Sequence, residues 1–394
     1  MMGRTRAIEP LAFRFVLLMG AVSLFADATY EGARGITGPY LGALGASAAV
    51  VGFVAGLGEL LGYALRLASG ALADRTQRYW LLTFLGYLVN LGAVPALALA
   101  GRWEVAAVLL VGERIGKALR TPPRDTMLSH ATSQVGHGWG FGVHEALDQV
   151  GAVAGPLLVA GILAGGSGYR TAFAVLLVPA LVSLAFLTAA RAIFPRPRAF
   201  EIRTQSPSDV SVPRELRWYM VGAGLIAAGY VDFSLLSFHF VRTGTVSATV
   251  VALLYAFAQA SDALAALLGG RWFDRAGVRA LVAFTLLAIP ASPLGFLGET
   301  YAAVLAGVLW GVGIGVQESL LRAAVARLAP PDRRASAFGL FHAAFGTCWF
   351  AGSALMGVLY ELNPTALVAF SVTCQLAALP FFAAAGRALR PGHG

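Results

Sequence analysis

Charged side chains recur at helical spacing in the segment 104–131, which is otherwise rich in apolar residues. Four of them fall within an arc of about 60° on one helical face, because an α-helix has about 3.6 residues per turn. They are Glu113, Lys117, Arg120 and Arg124. Lys117 is the only lysine of the 394 residues, and an ammonium gives up its proton more readily than a guanidinium. This face predicts binding of a proton or a charged substrate, unless the two arginines simply extend to the aqueous interface.

Three further charged residues share one face of the segment 14–35. Asp27, Glu31 and Arg34 stand at positions i, i+4 and i+7. A carboxylate in surroundings of low dielectric constant can load and release a proton near neutral pH. Asp27 has no oppositely charged neighbour one turn away, so it is the leading candidate for proton binding, with Glu31 beside it. The alternative for Glu31 is an internal ion pair with Arg34.

Two other apolar segments contain ionisable residues whose role the pattern leaves open. Glu59 is as well placed to pair with an arginine of the fourth segment as to act as a functional acid. His144 and Asp148 lie one turn apart, with Glu145 beside them. The order His-Glu-x-x-Asp comes close to a zinc motif, but its fifth residue is Asp and no third ligand is visible, so no zinc site is predicted. A proton relay or a divalent-ion site at His144 stays open beside a helix-packing network.

The second half of the chain also contains ionisable residues in apolar segments, but fewer of them. Phe25-Ala-Asp27 has a counterpart in Tyr230-Val-Asp232, so Asp232 is the second candidate for proton binding. Glu318 and Arg322 stand at i and i+4, in the order that favours pairing with each other. The sequence contains no nucleotide-binding motif, nucleophile elbow or complete metal triad, so we expect neither a cofactor nor catalysis.

The elements that hold these charges are expected to lie in a lipid bilayer. Hydrophobic residues make up 58% of the chain and charged residues 12%, whereas soluble domains contain about 25% charged residues. The mean hydropathy is +0.72, which argues against a soluble or a disordered protein. A spanning helix needs about 20 apolar residues. Twelve segments are of about this length: 14–35, 47–71, 79–100, 104–131, 138–164, 171–190, 217–240, 248–269, 280–298, 301–328, 336–360 and 365–386.

The charges are unevenly distributed among these twelve segments. The third, sixth, ninth and twelfth contain no charged residue. Because a charge at the bilayer centre costs at least about 2.5 kcal/mol, these four are expected to face lipid and the others to enclose a polar interior. With both termini in the cytoplasm, nineteen arginines lie in inside segments and three in outside segments. This bias predicts a multi-pass protein of the inner (plasma) membrane, and it explains the pI near 10.0 without nucleic-acid binding.

Residues 191–216 interrupt the apolar pattern with four prolines and several arginines. They predict a cytoplasmic linker between an N-terminal bundle of six helices, 1–190, and a C-terminal bundle, 217–394. The pattern Gly-x-x-x-Asp-Arg that begins at Gly70 recurs at Gly270, an offset of 200 residues. An all-α integral membrane fold of two pseudo-symmetric bundles follows.

The loop Gly70-x-Leu-x-Asp-Arg-x-x-Arg resembles the signature loop of the major facilitator superfamily, although Gln77 stands where many members have Gly. The resemblance covers nearly the whole chain and implies two bundles that rock around a central cavity. It also implies a cytoplasmic latch that holds the halves together in one state. The latch residues are Gly70, Asp74, Arg75, Arg78, Asp274 and Arg275. A simple helix cap is the alternative for Asp74.

Two further roles follow from the same resemblance. Arg114 resembles the membrane arginine of the family's fourth-span motif, which is associated with proton transfer, so Arg114 is the expected partner of Asp27 or Glu31. Gly151-x-x-x-Gly155-Pro resembles a motif of the family's antiporters, although close helix packing alone explains its glycines.

The predicted function is secondary transport of a small-molecule substrate, coupled to protons and carried out by a monomer. Proton coupling is assigned to Asp27, Glu31, Arg114 and Asp232. The substrate cavity is assigned to Arg34, Glu59, Glu113, Lys117, Arg120, His144, Glu145, Asp148, Glu318 and Arg322. Export in exchange for protons is the first expectation and proton-coupled uptake of a metabolite or ion is the alternative. A membrane sensor, scaffold or enzyme without net transport is the third.

Overall fold

The structure is a computed structural model, and it describes residues 2–135, 137–195, 214–328 and 334–386. Within these ranges the chain forms helices joined by short connections, and no strand occurs in them. The helices are α1 (Met2–Ala43), α2 (Ala48–Thr76), α3 (Tyr79–Ala96), α4 (Trp103–Val135), α5 (His137–Ala164), α6 (Tyr169–Val175), α7 (Leu177–Ile193), α8 (Arg214–Gly229), α9 (Phe233–Arg242), α10 (Ala248–Ala276), α11 (Val278–Ala288), α12 (Ala291–Leu297), α13 (Thr300–Gly315), α14 (Leu321–Leu328), α15 (Arg334–Leu362) and α16 (Pro364–Ala385). A 3₁₀ turn, Leu97–Leu99, follows α3.

Ten helical segments of the described chain are long and apolar enough to cross a membrane. They coincide with ten of the twelve predicted spans. The span predicted at 104–131 is helical as α4, but its charged face lowers its hydropathy. The span predicted at 301–328 is divided into α13, a π-helical turn at Val316–Leu320, and α14. Twelve helical segments therefore occupy the predicted positions, and ten of them qualify by length and composition alone.

Span seven is predicted as one helix over 217–240, but the structure breaks it. α8 ends at Gly229 and α9 begins at Phe233, so residues 230–232 are not helical. Side chains of neighbouring helices satisfy the carbonyl groups at the break. Ser371 Oγ donates to the Gly229 carbonyl at 2.6 Å, and Trp310 Nε1 donates to the Val231 carbonyl at 2.7 Å. Because a helix inside a membrane can be interrupted where other donors are supplied, these partners explain the break.

α4 continues without interruption through Pro122 and Pro123. A proline has no N–H, so Pro122 cannot donate to the carbonyl of Ala118 four residues earlier. Ser69 Oγ of α2 donates to that carbonyl instead, at 2.8 Å, and both residues are buried. The serine replaces the missing backbone donor, which keeps the charged face of α4 on a continuous helix.

The chain folds into two compact units. The first unit contains Met1–Ala33 and Leu65–Gln205, and the second contains Arg34–Ala64 and Ser206–Gly394. The boundaries between them therefore fall inside α1 and α2. The division into halves at residues 191–216 rests on the sequence repeat and stays a prediction.

Candidate functional site

In the first unit, α5 packs directly on α1 because two of its residues have no side chain. A Cβ atom at Gly151 or at Gly155 would overlap a carbonyl oxygen of α1. This close approach places a polar residue of α5 against α1, since Ser23 Oγ and His144 Nε2 lie 3.0 Å apart. The glycines of the predicted antiporter motif thus have a packing role.

Asp27 lies in the middle of α1 and is buried, with 4% of its surface exposed. It forms no ion pair within 4.0 Å with the described residues, and its Oδ1 atom accepts no hydrogen bond from them. Four charged residues lie within electrostatic range of it: Asp148, Lys117, Arg120 and Glu31. Asp27 is therefore a buried acid next to cations without a direct partner in the described chain.

Acidic side chains lie next to the charged residues of α4. Arg114 is expected to pair with Asp27 or Glu31, and its Nε atom lies 3.2 Å from Glu113 Oε2. Lys117 lies beside Glu31, with Nζ 3.8 Å from Oε1. Lys117 is one turn from Glu113 on the same face of α4. Because Lys117 lies near Glu31 of α1, this face of α4 is directed towards α1. The sequence could not distinguish these pairings without the position of α1 beside α4.

Arg120 is fully buried, with 1% of its surface exposed, and aromatic rings surround its guanidinium. Its Cζ atom lies 4.3 Å from the centre of the Tyr87 ring and 5.6 Å from that of Tyr30. The ammonium of Lys117 lies 4.0 Å from the centre of the same Tyr30 ring. Rings stabilise a desolvated cation through their negative faces. Arg120 therefore does not extend to the aqueous interface, which excludes the simplest alternative for this residue.

Arg124 connects the charged face of α4 to α1. Its Nη2 atom lies 2.8 Å from Asp125 Oδ1, and its Nη1 atom donates to Ser23 Oγ at 3.2 Å. Since Ser23 also contacts His144, the four residues form a continuous polar chain across α4, α1 and α5. Of the other α5 residues assigned to the cavity, Asp148 lies within electrostatic range of Asp27, and Glu145 is exposed.

The second unit contains a second, smaller group of charges. Arg34 Nη2 lies 2.6 Å from Glu59 Oε1, so Arg34 pairs with α2, and the internal pair with Glu31 stays a prediction. Glu59 is expected to pair with an arginine of α4 or to act as a functional acid, and one of its partners is Arg34 on α1. Arg34 and Glu59 belong to the two helix ends that the second unit takes from α1 and α2.

Asp232 lies at the break between α8 and α9 and is buried, with 5% of its surface exposed. Its Oδ2 atom accepts hydrogen bonds from Ser353 Oγ and from Trp349 Nε1, the second at 3.2 Å. Both donors are on α15. Sequence reasoning missed Ser353 and Trp349 because neither is charged, and only their spacing of one helical turn pointed to a shared face.

Several assigned residues can be located only in part. The side chains of Asp74, Asp274 and Glu318 lie outside the described residues, so their assignments stay predictions. Arg75, Arg78, Arg275 and Arg322 are exposed.

Gln77 has a φ angle of +57°, and Gly277, 200 residues later, has +56°. The two repeated loops therefore share a positive φ at equivalent positions, which explains why glycine is favoured there.

The described part of the chain contains no group of three or more His, Cys, Asp or Glu side chains arranged to hold a metal ion. His144 contacts Ser23 at 3.0 Å, so its described contact belongs to a polar network between helices.

Comparison with known proteins identifies the family. The model of the Major Facilitator Superfamily matches residues 16–244 and 220–392. The chain belongs to the Major Facilitator Superfamily. The predicted all-α membrane fold is confirmed, and this superfamily member is a multi-pass membrane transporter rather than an enzyme.

Relatives and solved structures agree with this assignment. The superfamily member is 44% identical to an uncharacterized protein of Mycobacterium tuberculosis over 375 residues, which cover 93% of this chain and 92% of the relative. It is 24% identical to an uncharacterized MFS-type transporter of Methanocaldococcus jannaschii, with 89% of each covered. Two solved structures share its fold. The nucleoside transporter NupG aligns with a TM-score of 0.76 at 16% identity, covering 94% of this chain and 98% of that one. The peptide transporter POT in complex with sulfate aligns with 0.74 at 16% identity, covering 96% of each.

Proposed function

We propose that this superfamily member is a proton-coupled transporter in which Asp27 binds the coupling proton. The observation that supports this most directly is the environment of Asp27, a buried carboxyl group without an ion pair or hydrogen bond to the described residues. A permanently charged group in such a place is costly. A group that alternates between a neutral and a charged form fits better, because each form suits one stage of a transport cycle.

Protonation of Asp27 changes how strongly its cationic neighbours are stabilised. Lys117 and Arg120 lie within electrostatic range of Asp27. When Asp27 is ionised, it stabilises both cations. When it is protonated, this stabilisation is lost, and Lys117 retains Glu31 as its acidic neighbour at 3.8 Å. A change of one unit charge in surroundings of low dielectric constant is large enough to favour one of two conformations.

Export of a small organic molecule in exchange for protons is the direction we propose. Its sequence support is the Gly-Pro motif at Gly151 and Gly155, whose packing against α1 holds His144 next to Ser23. Uptake with protons is the second candidate. The observation in its favour is that protonation of Asp27 would leave Lys117 and Arg120 available to a negatively charged substrate.

Proteoliposomes that contain the purified protein and an entrapped pH-sensitive dye can test the proposal. Panels of small organic cations, anions and zwitterions are added on one side, and the direction of proton movement is recorded. Movement opposite to the solute supports exchange, and movement with the solute supports the second candidate. The variant Asp27→Asn should exchange solute without moving protons. The control variant Glu104→Gln changes an acid with 44% of its side chain exposed and should behave as the wild type.

Two results would contradict the proposal. If Asp27→Asn moved protons with solute at the wild-type ratio, Asp27 would not be the proton site. If none of the three solute classes changed the internal pH of wild-type vesicles, proton coupling itself would be rejected.

A further inference from the structure

The acid at the break of span seven has only neutral partners. Asp232 accepts hydrogen bonds from Ser353 and Trp349, and it forms no ion pair within 4.0 Å with the described residues. The nearby cation Arg34 is already paired with Glu59 at 2.6 Å. Hydrogen-bond donors stabilise an ionised carboxylate. Asp232 thus has two donors at its Oδ2 atom, and its Oδ1 atom receives none from the described residues.

One aromatic residue, Trp349, contacts this carboxylate, and other rings pack near Trp349. Trp349, which donates to Asp232, lies with its ring centre 6.0 Å from that of Tyr230. The ring of Tyr230 lies 5.8 Å from that of Trp310, and Trp349 lies 5.6 Å from Phe345. Tyr230 is within electrostatic range of Asp232 and also of Asp262 on α10. We call Asp232, Tyr230, Trp310, Trp349 and Ser353 the Asp232 site.

The chemistry of the Asp232 site selects among ligands. Aromatic rings attract cations through their faces, most strongly when the cation has shed its water. The formal charge of Asp232, Glu59 and Arg34 together is −1, so the region repels anions. A metal ion would need several oxygen, nitrogen or sulfur ligands, whereas the indole N–H of Trp349 can only donate. An organic cation with a diffuse charge fits these conditions best.

We propose that the Asp232 site binds the positively charged group of an organic cation, an amine or a quaternary onium ion, which is the transported substrate. This inference rests on the proposed function, since it names the substrate class of the same transporter. The carboxylate of Asp232 neutralises the charge of the ligand, and the rings of Tyr230 and Trp349 contact its apolar substituents. Asp27 and Asp232 belong to different compact units.

Binding to the purified full-length protein in detergent, without any pH gradient, tests the inference. The probe is radiolabelled tetraphenylphosphonium, and its matched control is tetraphenylborate, which has nearly the same shape and the opposite charge. Wild-type protein should bind the phosphonium saturably, and tetraphenylborate should not displace it. Asp232→Asn should weaken binding about tenfold or more, because a buried charge loses its partner. Trp349→Phe should weaken it about two- to fivefold, through loss of the better ring and of one donor to Asp232.

Three further measurements keep the test decisive. Asp232→Glu retains the charge and should recover most of the affinity, which a variant that merely fails to fold would not do. Glu104→Gln, which changes a half-exposed acid outside both sites, should bind the phosphonium within about twofold of the wild type. Wild-type protein that bound neither probe, or both equally, would overturn the cation inference and leave the proton-coupling test of Asp27 untouched. Unchanged affinity in folded Asp232→Asn would overturn it as well.

Discussion

The hydrogen bond from Ser69 to the Ala118 carbonyl allows a quantitative test of how α4 remains helical through its proline pair. Ser69 Oγ donates at 2.8 Å to the carbonyl that Pro122 cannot reach. Ser69→Ala removes this donor and leaves a buried carbonyl unsatisfied. Such a group costs about 1–3 kcal/mol, so the free energy of unfolding should fall by about this amount.

A second substitution supplies the missing donor by another route. Pro122→Ala introduces a backbone N–H that can donate to the same carbonyl within α4. In that background, Ser69→Ala should cost less than about 0.5 kcal/mol, because the carbonyl keeps a partner. The difference between the two backgrounds is a coupling free energy of about 1–2 kcal/mol in the double-mutant cycle.

Unfolding in mixed micelles with increasing SDS measures each of the four proteins in the cycle. Thr188→Ala is the control. Its hydroxyl donates to the Leu184 carbonyl at 2.7 Å at an exposed position, where the helix already supplies the N–H of Thr188, so stability should change by less than about 0.5 kcal/mol. Equal costs of Ser69→Ala in both backgrounds would refute the reasoning, since the serine would then not be replacing the donor that proline lacks.

Three other outcomes follow from the backbone and the packing. Gln77 has a φ of +57°, so Gln77→Gly should raise the free energy of unfolding by about 0.5–1 kcal/mol, through relief of strain less the entropy of glycine. Gly277→Ala should lower the free energy of unfolding, measured in the same SDS titration. A gain would contradict the inference that both loops need a positive φ at this position. Gly155→Ala should cost about 1–3 kcal/mol, because its Cβ would overlap the carbonyl of Ala28. Gly161→Ala on the same helix meets no atom within 4 Å and should be neutral or stabilising, so similar losses at both glycines would count against the packing argument.

The sequence predicted the membrane helices well because their signal is local. An apolar run of about 20 residues identifies a span without knowledge of its neighbours, and the described helices follow the predicted positions. The break of span seven at residues 230–232 was missed for the opposite reason. Its carbonyl groups depend on Ser371 and Trp310, which are about 80 or more residues away in the chain and whose proximity no local pattern reveals.

The sequence predicted which charged residues belong to the candidate site, but it predicted their arrangement only in part. The face of α4 that contains Lys117 and Arg120 was expected from helical spacing, because periodicity fixes which residues share a face. The partner of each charge depends on how the helices pack, so the sequence could not predict that Lys117 lies beside Glu31. Neutral residues such as Trp349 gave no signal beyond helical spacing, since only their contact with Asp232 distinguishes them from ordinary membrane aromatics.

The boundaries of the second unit have a consequence for biosynthesis. Residues 34–64 leave the ribosome early, yet the unit to which they belong is completed by residues from 206 onwards. The hydroxyls of Thr37 and Ser234 lie 3.1 Å apart, and the backbone N–H of Ala48 donates to Glu361 at 2.6 Å. During translation, residues 34–64 are therefore synthesised well over one hundred residues before the partners with which they form these contacts.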